Sequence, residues 1–255
     1  PSDDSYALAM AMRTPAQVIS YGAASNSTVR IPHADFCEIK KRVIGMQAKV
    51  TIDGEHGNLI VKGSVGMTQL LPLGAALATA RAFSIALPEA LQALENYEPP
   101  PGRGRLFAGK NGSVIIDDSY NASPVAVEEA LATLKTFPHV KRRVAVLGDM
   151  LELGRYSVIE HERIGALARE SADVLVTVGI RARLFGVTKG KAEVVSFDNS
   201  QAAALALPDL AHEGDVILVK GSQSIRTERI VEALLVDPAD VMRLVRQEKA
   251  WKRKV

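Results

Sequence analysis

Residues 115–124 read Ile115-Ile116-Asp117-Asp118-Ser119-Tyr120-Asn121-Ala122-Ser123-Pro124, an apolar run that ends in two acids and passes through small polar residues to a proline. The pattern predicts a buried strand over residues 114–117 and a loop at its carboxyl end. A helix then opens at Pro124, because a proline at the first helical position gives up only an amide that would be unpaired anyway. Val127, Ala130, Leu131 and Leu134 continue at helical spacing. A second strand-then-loop follows over residues 143–147, closed by Gly148 and Asp149. In an open α/β sheet the loops leaving the carboxyl ends of the strands carry the ligand contacts, so these two endings are the first candidates for a site. Acids placed there accept hydrogen bonds from ribose hydroxyls or an ammonium group.

Outward from these two units the alternation continues. Helices are predicted over residues 158–170, 200–207 and 226–235, and strands over 174–178, 193–197 and 216–219. A last helix over residues 239–249 closes the chain. That order predicts a Rossmann-like, doubly wound, mostly parallel sheet. Upstream, Pro99-Pro100-Pro101-Gly102-Arg103-Gly104 reads as a hinge, three stiff residues followed by glycines that let the chain turn. It divides the chain into residues 1–101 and 102–255. In the first part strands are predicted over residues 18–21, 43–52 and 59–61, the last two joined by the turn-rich Asp53-Gly54-Glu55-His56-Gly57. Helices over residues 73–86 and 88–94 lead into the hinge.

With 255 residues, 47% hydrophobic and 24% charged, the chain has ample material for a core. A net charge of +2 gives no argument for nucleic acid, and Trp251-Lys252-Arg253-Lys254 reads as a solvated helix end. The single cysteine, Cys37, excludes an internal disulfide and reads as a small buried hydrophobe; a reducing cytoplasm fits it. No apolar run approaches the roughly 20 residues that span a bilayer, and Asp3 and Asp4 do not resemble a signal-peptide opening.

The motif around Asp117–Asp118, the stretch RVAVLGDMLELG over residues 143–154, His161, and Val219-Lys220-Gly221-Ser222 occur in the order and spacing of the Mur ligase family. The chain resembles the dipeptide-adding branch of that family, over its carboxyl-terminal domain and the last part of its central α/β ATPase domain. The resemblance implies ATP-dependent amide synthesis for peptidoglycan precursors. The carboxylate of UDP-N-acetylmuramoyl-tripeptide is phosphorylated, and the amine of D-alanyl-D-alanine attacks the acyl phosphate. Mg2+ screens the phosphate charge, and domain closure keeps water from the intermediate.

Residue by residue, Asp118 is similar to the family aspartate that contacts the ATP ribose. Arg103 resembles the hinge arginine that reaches ATP, with Arg105 competing for the same role; a guanidinium offers phosphate a planar fork of donors. Tyr120, Asn121, Ser123 and Asp149 are expected to face the reaction centre. Lys220, Gly221 and Ser222 are expected to hold the incoming dipeptide, although Lys-Gly-Ser read alone is an ordinary turn. His161 matches a family histidine on a helix, where a surface or capping role competes with chemistry.

The sequence also departs from the family. It contains no Gly-x-x-x-x-Gly-Lys-[Ser/Thr] phosphate loop. The magnesium-holding residues are expected in missing amino-terminal domains, no metal ligands are expected in these 255 residues, and the chain alone is expected to be inactive. The family pattern Gly-x-His-Asn-x-x-Asn stands here as Gly66-Met67-Thr68-Gln69-Leu70-Leu71-Pro72. Gln69 keeps an amide to donate to a base or phosphate, whereas Pro72 does not. The competing expectation is a non-catalytic binding module that pairs with a separate ATPase chain.

Overall fold

The computed structural model describes residues 1–252, so Arg253 and Lys254 of the basic ending lie outside the described residues. Two compact units are present, residues 1–99 and residues 100–255.

In the first unit the helix α1 (Ser5–Ala11) precedes a five-stranded sheet of β1 (Tyr21–Gly22), β2 (Val29–Arg30), β3 (Ala34–Ile39), β4 (Arg42–Ile52) and β5 (Glu55–Lys62). β4 is its spine, pairing antiparallel with β2 and β3 and with β5. The β4–β5 turn is shorter than the sequence suggests. Ile52 pairs with Glu55, and only Asp53 and Gly54 turn, both at positive φ. Two such residues match the right-handed twist of the flanking strands, so β5 starts four residues earlier than expected. The strand expected over residues 18–21 reduces to Tyr21 and Gly22. Cys37 is half-buried on β3 rather than fully enclosed. Helix α2 (Leu70–Ala82) begins before Pro72, whose missing amide costs nothing in a first turn, and α3 is Leu87–Leu94.

The second unit is the predicted mostly parallel sheet. Its strands are β6 (Arg105–Ala108), β7 (Val114–Asp118), β8 (Arg142–Gly148), β9 (Val174–Val178), β10 (Glu193–Phe197) and β11 (Asp215–Lys220), in spatial order β10-β9-β8-β11-β7-β6. Only β6, a hairpin partner of β7, runs antiparallel. The helices are α4 (Pro124–Thr136), α5 (Ser157–Ser171), α6 (Arg183–Val187), α7 (Ser200–Leu210), α8 (Glu228–Leu234) and α9 (Lys249–Lys252). Alternate strand residues point to opposite faces. Ile115, Val144, Val146, Val176, Val178, Ile217 and Val219 pack with Ala203 and Leu207 of α7 and Ile230, Val231 and Leu234 of α8. Their neighbours Ile116, Ala145, Leu147, Leu175 and Leu218, equally buried, therefore face the opposite layer.

Two helix expectations change at charged residues. The helix expected from Arg226 starts at Glu228, because Arg226 is left-handed at φ 63°. The expected closing helix is instead a 3₁₀ segment, Pro238–Arg243, then irregular chain, then α9. The break includes Arg246 at φ 61°, a conformation no helix accommodates. Among the described residues, no helix is long and apolar enough to cross a membrane.

Candidate functional site

β11, the last strand in the chain, is inserted between β7 and β8, which are successive in sequence. The chain therefore reverses direction of travel across the sheet there, and three strand ends converge at the switch point where such sheets bind ligands. Register aligns Lys220 with Asp118 on one side and with Leu147 on the other. Gly148 and Gly221 let the two loops approach: a Cβ on either would lie 3.2 Å from the other's Cα. Side chains at both positions would force the strand ends apart.

Lys220 is the pivot of this edge. It is buried, and its Nζ donates to Asp118 Oδ2 at 2.6 Å and to the Asn121 carbonyl at 2.9 Å. Burial raises the pKa of Asp118, while Lys220, then Arg103 and the amide of Gly104, oppose the rise by favouring the carboxylate. Arg103, exposed, lies with its guanidinium 4.2 Å from the centroid of the half-exposed Tyr120 ring. Arg105 behaves differently: it is buried and donates to the Arg243 carbonyl at 3.4 Å. Of the two competing arginines, then, Arg103 stands at the open rim. Gly102 makes the turn beneath: its φ is 67°, its carbonyl accepts the Tyr120 amide, and a Cβ there would sit 2.9 Å from that nitrogen.

Asp117 precedes Asp118 but faces inward. It is fully buried, accepts from Ser119 N at 3.1 Å and Ser119 Oγ at 2.5 Å, and its Oδ2 has no partner among the described residues. Burial pushes its carboxyl up to about 6, only partly offset by the Ser119 bonds.

Beside the loop lies a cleft of 450 Å³, lined by Asn121, Ala122, Ser123, residues 151–153, residues 222–224 and Trp251. Asn121 and Ser123 reach its rim, and Ser123 also caps α4 by accepting the Ala126 amide. Ser222 is tied into the floor: its Oγ accepts the Leu151 amide at 2.8 Å, and its own amide donates to the Asp149 carbonyl at 3.0 Å. Asp149 turns its carboxylate away from this cleft and accepts the Ala182 amide at 2.7 Å. His161 is wholly buried. Its Nε2 accepts the Met150 amide at 3.1 Å, which places the ring proton on Nδ1, 2.7 Å from the Ser157 carbonyl, and the ring stacks on Phe185. The histidine thus anchors the turn after β8. Gln69, in the first unit, is buried in a one-turn 3₁₀ segment before α2, with Thr68 and Pro72 exposed beside it.

Three residues of the site carry no motif in the sequence: Arg226, Glu228 and Arg246. Glu228 is buried and ion-paired to both arginines, at 2.9 Å for Arg246 Nη1. Arg246 Nη1 also donates to the Ser119 carbonyl at 3.1 Å, and its Nη2 donates to the Tyr120 carbonyl. No local signal in the sequence marks them, since Glu228 shares α8 with Arg229 and Glu232 and looks like any other helix charge. Among the described residues no group of three or more His, Cys, Asp or Glu is arranged to hold a metal ion.

Convergent strand ends at a switch point, joined by the Asp118–Lys220 ion pair, define a doubly wound α/β domain. Residues 102–223 match the model of the Mur ligase, glutamate ligase domain, so the second unit is a carboxyl-terminal domain of the Mur ligase family. Relatives in that family are UDP-N-acetylmuramoyl-tripeptide–D-alanyl-D-alanine ligases. The chain is 30% identical to that of Bacillus subtilis over 179 residues, 68% of this chain and 39% of the relative. It is 31% identical to that of Synechocystis over 199 residues, 73% of this chain and 42% of the relative. The chain thus spans well under half the length of these curated relatives. Among solved structures it is similar to the MurF ligase of Thermotoga maritima in complex with ADP, with a TM-score of 0.69 and 26% identity over 82% of this chain and 46% of that one.

Proposed function

We propose that this chain is the carboxyl-terminal portion of an ATP-dependent ligase that joins D-alanyl-D-alanine to UDP-N-acetylmuramoyl-tripeptide in the cytoplasm. Residues 1–101 are the remainder of the central ATP-binding domain, and residues 102–255 are the carboxyl-terminal ligase domain. The observation that carries the reading is the Asp118–Lys220 pair at the switch point, with Arg103 and Tyr120 at its rim. That layout supports nucleotide binding, and the named relatives supply the reaction class.

In this reading ATP gives its terminal phosphoryl group to the tripeptide carboxylate, releasing ADP. The dipeptide amine then attacks the acyl carbon; phosphate leaves, the amine loses a proton and the amide forms. Asp118 accepts from the ribose hydroxyls with the acceptor capacity its protein partners leave, and Arg103 swings from the Tyr120 face toward phosphate. The cleft beside Asn121 and Ser123 takes the dipeptide, with the Gly221–Ser222 loop as its floor. Lys220 enters through Asp118 rather than by touching the dipeptide. Gln69, in the first unit, keeps the amide that the family pattern turns to a base or phosphate. Mg2+ neutralises phosphate charge when bound; the described residues lack a cluster fitted to hold it, so no step here passes through it.

Phosphate release is the test. It is measured with ATP, Mg2+, UDP-N-acetylmuramoyl-tripeptide and D-alanyl-D-alanine, using this chain alone and then with the amino-terminal half of a ligase supplied. Activity is expected only in the second case, and Asp118→Asn is expected to abolish most of it. Turnover by the chain alone overturns the assignment of catalysis to a shared site. Silence in both, with each half folded, favours a non-catalytic binding module and makes the altered Thr68, Gln69 and Pro72 the first suspects.

A further inference from the structure

We infer that Arg246 is a positioning residue for the Asp118–Asn121 loop, and that the segment carrying it, beyond residue 223 and so outside the part matched by the family model, is a strap that holds the site in its binding form. The geometry is specific. One guanidinium nitrogen bonds the Ser119 carbonyl and the other the Tyr120 carbonyl, so a single fork grips two successive peptide groups directly after Asp118. The fork is itself aimed by Glu228, which pairs with Arg246 from the first turn of α8. Glu228 also binds Arg226, and Arg226 donates to the Trp251 carbonyl at 2.8 Å, closing the strap on its far side.

A fork of this kind suits an arginine and no other residue, since lysine offers one point of charge where two separated donors are needed. The strap also carries strain that its contacts must offset: Arg226 and Arg246 are both left-handed, at φ 63° and φ 61°. Non-glycine residues hold that conformation only where the surroundings over-determine it. The two carbonyls held by Arg246 flank the peptide that sets the direction of the Tyr120 ring. They also fix how Asp118 meets Lys220, because Lys220 bonds Asp118 and the Asn121 carbonyl on either side of the same loop. Arg246 touches no reacting atom; it acts through Asp118 and Tyr120.

The functional half of this inference rests on the nucleotide reading above; the structural half does not. The experiment uses the full chain and the variants Arg246→Met and Arg246→Lys. Amide hydrogen exchange is followed across the loop and across β8, and ATP binding is measured by calorimetry. In Arg246→Met, exchange at Tyr120 is expected to rise roughly 10- to 100-fold, as for loss of charge-assisted bonds, with β8 unchanged. ATP affinity is expected to fall by about tenfold or more on the same ground. Arg246→Lys keeps the ion pair with Glu228, so it serves if the methionine variant does not fold, and its loop exchange is expected to lie between the two. Unchanged exchange in the loop of the lysine variant overturns the inference, as does a rise spread evenly over the unit. Failure of the unaltered chain to bind ATP with the amino-terminal half of a ligase supplied counts against the nucleotide reading, while the exchange data still decide the role of Arg246.

Discussion

Asp118 and Asp149 are the same residue type on the two strands that flank β11, Asp118 as the last residue of β7 and Asp149 just past the end of β8, yet the fold uses them in opposite ways. Asp118 meets a buried lysine and remains at the open edge of the sheet. Asp149 is consumed by backbone, its carboxylate accepting the Ala182 amide and its carbonyl accepting Ser222. The difference lies in what stands opposite. Lys220 is in register with Asp118, whereas Asp149 lies against Gly179, whose φ is 110° and whose lack of a Cβ leaves room for the carboxylate. A strand-end acid is available to a ligand only when no nearby turn claims it.

Breaking the pair on the available side is expected to give the largest effect. Lys220→Met leaves Asp118 desolvated without its ammonium partner, and removing one member of a buried pair costs about 3–5 kcal/mol. Trp251, the sole tryptophan, lies in the second unit and reports its unfolding by fluorescence. The double variant Lys220→Met with Asp118→Leu is expected to regain much of the loss. A Lys220→Met protein within about 1 kcal/mol of the original, an allowance of the size of an exposed pair, would show that the two groups do not depend on each other.

The next effect comes from Asp117, buried just behind. Its folded carboxyl titrates at about 6 against 3.8 for the free side chain, so between those values the folded state holds more protons than the unfolded chain. Stability from this group is therefore complete below the lower value and lost as pH rises through the upper one, by about 3 kcal/mol for a shift of this size. Asp117→Asn resembles the protonated acid and keeps an acceptor for Ser119. It is expected to match the unaltered protein near pH 4 and to exceed it at neutral pH in denaturant melts. Equal stability at both would mean that Asp117 is solvated. Smaller again is His161→Ala, which leaves the Met150 amide buried without an acceptor, at about 1–3 kcal/mol. A neutral result there would detach His161 from the turn that presents Asp149.

Much of this edge is legible in the sequence. Strand-ending acids, Pro124 after a polar loop and Gly148 or Gly221 at strand ends are local signals, and the elements they predict are formed, most boundaries moving by one to three residues. Three things are not local. Insertion of β11 between β7 and β8 is a long-range pairing, so the meeting of Lys220 with Asp118 follows from topology and not from motif spacing. The separation of Arg103 from Arg105 follows the path of the backbone: Arg103 lies in the turn before β6, whereas Arg105 opens that strand and is buried, and two arginines two residues apart carry no local signal that tells them apart. Arg226, Glu228 and Arg246 look like ordinary charges on helices; Glu228 is buried against both arginines, and Arg246 reaches Ser119 and Tyr120 across more than a hundred residues.

The smallest prediction is the one that tests the contrast between the two acids most directly. Asp149→Asn preserves an acceptor oxygen for the Ala182 amide and removes only the charge assistance, a cost of about 0.5–1.5 kcal/mol. Because that carboxylate is turned from the cleft, ATP affinity is expected to stay unchanged, while Asp118→Asn, measured in the same calorimeter, is expected to lose about tenfold or more. The two variants make the same chemical change at neighbouring strand ends. A parallel loss of affinity in both would mean that Asp149 leaves the Ala182 amide to meet the ligand, and the division between a claimed and an available acid would fail. Loss in Asp118→Asn alone would leave the difference where the structure puts it, in the partner each acid faces.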